Sequence, residues 1–299
     1  MRITANPGPS DSLTDVSGIK VGQVHDADVN TGVTVIVPDA PAAMGVDVRG
    51  GGPGTRETDA LNPACLVEKA HAIVLSGGSV FGLAAADGVA AALSAKGIGL
   101  PVAPMPVPVV PAAILFDLTN GGDKDWGTEP PYRALGVKAV QCLSSNLALG
   151  RVGAGYGARA GAVQGGIGSA SYVLEDGSIV AALVAVNSFG CAGAAASLEP
   201  GTVDMPKVGF VGTNTTLAVV ATNVALGKAG CERLAIMAHD GLARTIKPLH
   251  TPFDGDTVFA MSTGAHSAPE ELPGTLAVLG TLAADALQRA VVKAVAAVG

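Results

Sequence analysis

Charged side chains are scarce in this 299-residue chain, at 14% of residues, where soluble domains usually carry about 25%. The charge present leans acidic, with 18 Lys and Arg against 25 Asp and Glu and a formal net charge of −7. That balance argues against nucleic acid and against an anionic membrane surface as partners, since both call for clustered Lys and Arg. Aromatics are also few, 3% with a single tryptophan, while 48% of residues are apolar. An apolar fraction that large excludes a disordered chain, which lacks the side chains to bury a core. Small side chains with few charges imply tight packing and a buried interface between copies. Cysteine is sparse too: Cys65, Cys142, Cys191 and Cys231 stand far apart with no C-x-x-C pair. A zinc ribbon or disulfide scaffold is not expected, and the four are read as buried free thiols. The first 14 residues (MRITANPGPSDSLT) have no apolar run able to serve as a secretory signal. Residues 97–116 are uncharged, but five prolines there would break a membrane helix. A cytoplasmic, soluble protein is the expectation.

What the chain has in plenty is glycine (41) and proline (19), spread evenly and with no linker or internal repeat between them. One domain over residues 1–299 follows. Residues 33–38 (VTVIVP) and 72–75 read as buried strands, each followed by a glycine-rich turn. Residues 80–95 are small and apolar, a helix able to lie close on a sheet. Residues 179–186 (IVAALVAV) and 217–224 (LAVVATNV) carry no charge, as strands covered on both faces do. Cys231, Leu234, Ala238 and Leu242 recur at helical spacing and mark an amphipathic helix that ends before Pro248. A closing helix over 276–298 is apolar nearly all round and should be buried. Central strands with outer helices predict a layered α/β sandwich.

The common sources of chemistry are missing. The RGGGPGT run at 49–55 lacks the G-K-[ST] ending of a phosphate loop, and Gly77-Gly78-Ser79-Val80-Phe81-Gly82 does not fit G-x-G-x-x-G. Tight turns are the better reading of both. The histidines His25, His71, His239, His250 and His266 show no H-x-x-H or H-E-x-x-H spacing, so no zinc site is expected. No G-x-S-x-G elbow is present, and no histidine-based triad is visible. Asp254-x-Asp256 could open a calcium loop, but position 265 is alanine where the loop needs glutamate. Two polar clusters in apolar surroundings remain, Gly212-Thr213-Asn214-Thr215-Thr216 and Phe253-Asp254-Gly255-Asp256-Thr257. Read alone, each is as well explained by a strand start or a turn. Trp126, in a polar loop at 121–127, is a candidate for a pocket wall or an oligomer contact.

In order and spacing, several short pieces together resemble one family. They are LTDVSGIKVG at 13–22, VGAG at 152–155, GGIG at 165–168, NTT at 214–216, AHDGLAR at 238–244 and DGDT at 254–257. The chain is similar over nearly its whole length to the autoprocessing L-aminopeptidase/D-esterase family of N-terminal-nucleophile-type hydrolases. That group includes β-peptidyl aminopeptidases, the endo-type nylon-oligomer hydrolase and a pantetheine hydrolase. The resemblance implies an αββα sandwich and self-cleavage at Asn214–Thr215, giving an α subunit of residues 1–214 and a β subunit of 215–299. It implies Thr215 as nucleophile, Asp254 and Asp256 as site carboxylates, and Asn187 as an oxyanion donor. It also implies tetramers of α/β pairs, a small amide or peptide substrate, and neither metal nor organic cofactor. His239 and Arg244 recur in the family motif but are as well explained by helix structure, and they are left outside the catalytic set.

Such an arrangement makes physical sense. A threonine hydroxyl is a weak nucleophile until a base takes its proton. Cleavage would free the Thr215 α-amine, whose reference pKa of about 8 suits it to that task. Nucleophile and base then share one residue, and no histidine is needed. In the precursor the same hydroxyl would attack the Asn214 carbonyl, an N-to-O shift that a strained turn over 212–214 would favour. Two positions depart from the family pattern. Phe116 stands where relatives carry a tyrosine hydroxyl, and Gln164 where several carry a lysine. Both bear on substrate choice, leaving an esterase or a pantetheine-type amidase as rival activities. A non-catalytic oligomeric binder of the same fold is a rival of another class.

Overall fold

The computed structural model describes residues 2–193, 201–203, 214–267 and 272–298. Gly212 and Thr213, part of the turn expected to be strained, lie outside them. In chain order the first strands are β1 (Asn6–Pro7), β2 (Ile19–Asp26), β3 (Thr31–Pro38), β4 (Ala43–Val48) and β5 (Thr55–Arg56). Then come β6 (Ile73–Ser76), helix α1 (Ala84–Ala95), β7 (Ala112–Ile114) and helix α2 (Tyr132–Gln141). Two short strands, β8 (Arg159–Ala160) and β9 (Val163–Gln164), pair as a small ribbon. The second half holds β10 (Gly166–Val173), β11 (Ile179–Asn187), β12 (Cys191–Ala192) and β13 (Thr215–Val224). It closes with α3 (Lys228–Ala243), β14 (Ile246–Lys247), β15 (Thr257–His266) and α4 (Leu272–Ala296).

Two sheets stack face to face. One has the order β1-β10-β11-β13-β15-β4, the other β2-β3-β6-β7-β5. Alternation along each strand sorts the side chains between layers. On β11, Ala181, Leu183 and Ala185 face the opposite sheet, while Ala182, Val184 and Val186 face α3 and α4. Leu75 and Ile36 meet that inner layer from the second sheet, whose other face, Val33, Val35 and Val74, packs on α1 and α2. The result is helices, sheet, sheet, helices: the expected αββα sandwich.

The expected strands and helices are all present, with shifted ends. The strand expected from residue 217 begins two residues earlier, at Thr215, because its first residues pair with the end of β11. The helix expected over 80–95 opens as a 3-10 turn, Ser79–Leu83, and becomes α-helical only at Ala84. Of the four cysteines only Cys231 is buried; Cys65 and Cys142 are exposed, against expectation, because both sit in surface loops. α4 is long and apolar enough to cross a membrane by composition. Here its apolar stripe, Leu279, Ala283, Ala286, Leu287 and Ala290, joins the core beneath β11 and β13.

Candidate active site

The same alternation places the site. Thr215 continues the inward set of β13 (Leu217, Val219, Ala221), and Asn187 continues the inward set of β11. Antiparallel register sets Asn187 directly opposite Thr215 at the rim of the inter-sheet layer, where facing Cβ atoms lie about 5 Å apart. Both residues are buried, at 1% exposure, so any polar atom there needs a partner. Asn187 Oδ1 accepts from the Arg159 N–H at 2.8 Å, and its Nδ2 donates to the Phe116 carbonyl at 2.9 Å. A primary amide has two N–H bonds, so among the described residues one donor of Asn187 has no partner.

The loop carrying Phe116 is itself pinned. Asp117, fully buried, accepts from Thr31 Oγ1 at 2.6 Å and from the Gly78 N–H at 2.8 Å. Burial pushes its carboxyl above the usual range, against those two hydrogen bonds and the charge of Lys124. Asn120, three residues on, donates to the Gly157 carbonyl at 2.9 Å and lies 3.5 Å from Asn187 Oδ1. Phe116 therefore serves the site through its backbone, with no hydroxyl to offer. Gln164 folds back onto the Ala158 carbonyl at 2.6 Å, a local tie in the β8–β9 ribbon. Trp126 packs edge-on against Phe81 and Tyr132.

The other wall is the Asp254-Gly255-Asp256 turn before β15, which runs parallel beside β13. The Gly255 N–H donates to the Asn214 carbonyl oxygen at 3.0 Å. The Thr215 hydroxyl donates to that same oxygen. Two donors thus converge on the carbonyl whose bond would break. A side chain at Gly255 has no room: its Cβ would lie 2.7 Å from Thr215 Oγ1 and 2.9 Å from the Gly52 carbonyl. The glycine run after β4 packs on the outside of this turn. At Gly50 a Cβ would come within 2.4 Å of both the Asp254 carbonyl and the Asp256 nitrogen. Where a tight turn was expected, the run also provides close backbone approach to the Asp254-Gly255-Asp256 turn.

Neither carboxylate binds the Thr215 hydroxyl in the uncleaved chain. Asp254 accepts from the Phe189 N–H (3.1 Å), the Thr251 N–H (3.0 Å) and Thr251 Oγ1 (2.7 Å), tying the segment after β11 to the turn. Burial, and then the charge of Asp256, push Asp254 up to about 6 from 3.8. Asp256 accepts the Thr216 N–H at 2.7 Å and, on its other oxygen, His250 Nδ1 at 2.8 Å. So all four predicted residues meet at one end of the sandwich, Asp256 holding the backbone beside the threonine and Asp254 that of Phe189 and Thr251.

Three contributors are not readable from sequence: the Gly255 N–H, the Phe116 carbonyl and His250. The first two act through backbone, which residue identity does not report. His250 has no motif; the chain reversal before β15 is what places it on Asp256. His239 is buried against the Asp47 carbonyl at 3.1 Å, and Arg244 pairs with Asp285 between α3 and α4. Among the described residues, no group of three or more His, Cys, Asp and Glu is arranged to hold a metal ion.

Two sheets between helix layers, with a threonine opening a central strand opposite a buried asparagine, have the architecture of the N-terminal-nucleophile-hydrolase fold. L-aminopeptidase D-Ala-esterase/amidase from Ochrobactrum anthropi, described as a variant of that fold, matches with a TM-score of 0.76 at 23% identity. The match covers 100% of this chain and 89% of that one. Residues 11–298 match peptidase family S58, and the chain belongs to that family. An uncharacterized aminopeptidase of Mycobacterium tuberculosis is 42% identical, over 95% of this chain and 93% of its own length. The 6-aminohexanoate-oligomer endohydrolase of a Kocuria species is 30% identical, over 94% of this chain and 84% of its own. The protein is a hydrolase of peptide or amide bonds.

Proposed function

We propose that the chain cuts itself between Asn214 and Thr215, and that the freed Thr215 is the nucleophile for small amide substrates. The observation that carries this reading is the pair of donors, Thr215 hydroxyl and Gly255 N–H, on the Asn214 carbonyl oxygen. In self-cleavage, Thr215 Oγ1 bonds to the Asn214 carbonyl carbon and the C–N bond breaks. The hydroxyl proton ends on the departing nitrogen, leaving an ester between the two residues. The Gly255 N–H meets the oxygen on which negative charge develops, a contact typically worth about 3 kcal/mol to a transition state. Water then hydrolyses the ester and leaves Thr215 with a free amine and hydroxyl. Residues 1–214 and 215–299 become the two subunits.

Substrate hydrolysis repeats the chemistry on a second carbonyl. The Thr215 amine takes the hydroxyl proton, Oγ1 bonds to the amide carbon, and the amine product leaves with a proton. Water releases the acid from the acyl-threonine. The second N–H of Asn187 supplies the oxyanion donor, and Asp254 and Asp256 orient the new ammonium. Short peptides with a free amino end, or ω-amino amides, are the proposed substrates, in keeping with the activities in the names of the relatives. Copies are proposed to self-associate, for which exposed Leu66, Val80, Val102 and Met105 offer apolar surface. The test pairs an amino-acid p-nitroanilide with its N-acetylated counterpart. Release of nitroaniline from the free-amine compound alone, by material split into two fragments, is expected. Turnover of neither, or an unbroken active chain, contradicts the reading.

Asp254 adds a pH dependence to the uncleaved chain. Its carboxyl titrates higher folded than unfolded, so its contribution to stability is whole below pH 3.8 and is lost as pH rises through about 6. A shift of that size corresponds to an energy on the order of 3 kcal/mol. The melting temperature of the uncleaved chain should therefore fall across that window relative to Asp254→Asn, which has no proton to lose. Parallel melting curves for the two would contradict it.

A further inference from the structure

Asp256 is held from both sides. One oxygen takes the Thr216 N–H at 2.7 Å, next to the nucleophile. The other takes two donors from one residue, His250 Nδ1 at 2.8 Å and the His250 N–H at 3.1 Å. A carboxylate only accepts, so the hydrogen of that imidazole contact sits on Nδ1. Behind His250 stands His239, its ring at 72° to that of His250 with centroids 4.9 Å apart. His239 Nε2 faces the Asp47 carbonyl at 3.1 Å, and its buried Nδ1 has no hydrogen-bond partner among the described residues. Burial above all pushes His239 down to about 4, so the ring pressed on His250 is neutral. Asp47 is occupied in turn by Arg49 Nε at 2.6 Å. His250 is thus clamped between an uncharged ring and a carboxylate, with its side chain only 24% exposed.

We propose that His250 is a positioning residue: its Nδ1–H fixes Asp256, and Asp256 fixes the backbone at Thr216 and so the placement of Thr215. It does not touch the reacting atoms. What it supplies is alignment, and a nucleophile displaced by about 1 Å loses on the order of 100-fold in rate. The inference rests on the proposed role of Thr215 for its kinetic consequence, though the hydrogen bond itself does not.

The test uses the full-length protein as purified. His250→Ala should lower kcat on the free-amine p-nitroanilide by roughly 30-fold with KM within about twofold, since alignment and not binding is lost. His250→Asn, whose side-chain N–H can take the place of Nδ1–H, should recover most of that loss. Wild-type kcat in the alanine variant, or an asparagine variant no better than alanine, overturns the proposal. A second readout needs neither activity nor a folded variant. Nitrogen-15 spectra of the wild-type protein should show Nδ1 of His250 protonated, and a bare Nδ1 overturns it. If wild-type material is unbroken yet active, the role of Thr215 fails while the Nδ1 result still decides the His250–Asp256 contact.

Discussion

Replacing Thr215 with alanine should leave a single 299-residue chain and abolish amide hydrolysis, by at least about 10⁴-fold. The size follows from two losses in one substitution. Alanine has no oxygen to attack the Asn214 carbonyl, so the chain is not cut. Without the cut there is no free amine at residue 215, and the base is missing together with the nucleophile. Folding should be spared, because among the described residues Thr215 Oγ1 bonds only its own neighbour's carbonyl while β13 keeps its ladder to β11 and β15. Thr215→Ser retains the hydroxyl and should still be processed. Intact mass and p-nitroanilide turnover read both outcomes, and a cleaved alanine variant would show that another residue makes the cut.

Gly255→Ala should produce the second largest effect from the smallest change in composition. The added methyl meets Thr215 Oγ1 at 2.7 Å and the Gly52 carbonyl at 2.9 Å, both too close for contact. Gly52 donates its own N–H to the Asp254 carbonyl at 2.7 Å, so that wall is fixed. The threonine hydroxyl is the part able to yield, and turning it away breaks its alignment on Asn214. Self-cleavage should slow on the order of 100-fold. The cost in stability should stay near the ~1–3 kcal/mol of a crowded core site. A time course of fragment appearance checks this, and cleavage at the wild-type rate would mean that the hydroxyl acts from another rotamer.

The sandwich was legible because its strands are buried on both faces and its helices on one. Uncharged runs such as 179–186 and spacing such as Cys231, Leu234, Ala238 and Leu242 are direct consequences of that burial. Element ends were less so: Thr215 looked like a residue before a strand because only pairing with Asn187 makes it the first residue within one. Thr215, Asn187, Asp254 and Asp256 were reached through resemblance to a family, since each in isolation reads as a turn or a strand start. Their convergence depends on register and on a parallel neighbour strand, which no local pattern reveals. The exposed thiols Cys65 and Cys142 went the other way. Cysteine is mostly a buried residue, and nothing in their neighbourhoods advertised a surface loop. His250 stayed invisible because its partner lies six residues away across a chain reversal.

In the proposed mechanism, breaking the backbone creates the catalyst. Sequencing the N-terminus of the smaller fragment from freshly purified, active protein tests it most directly. A fragment beginning Thr-Thr-Leu-Ala-Val, residues 215–219, with its amine unblocked, is expected. A fragment beginning at any other residue, or full activity from a chain with no such fragment, would contradict it.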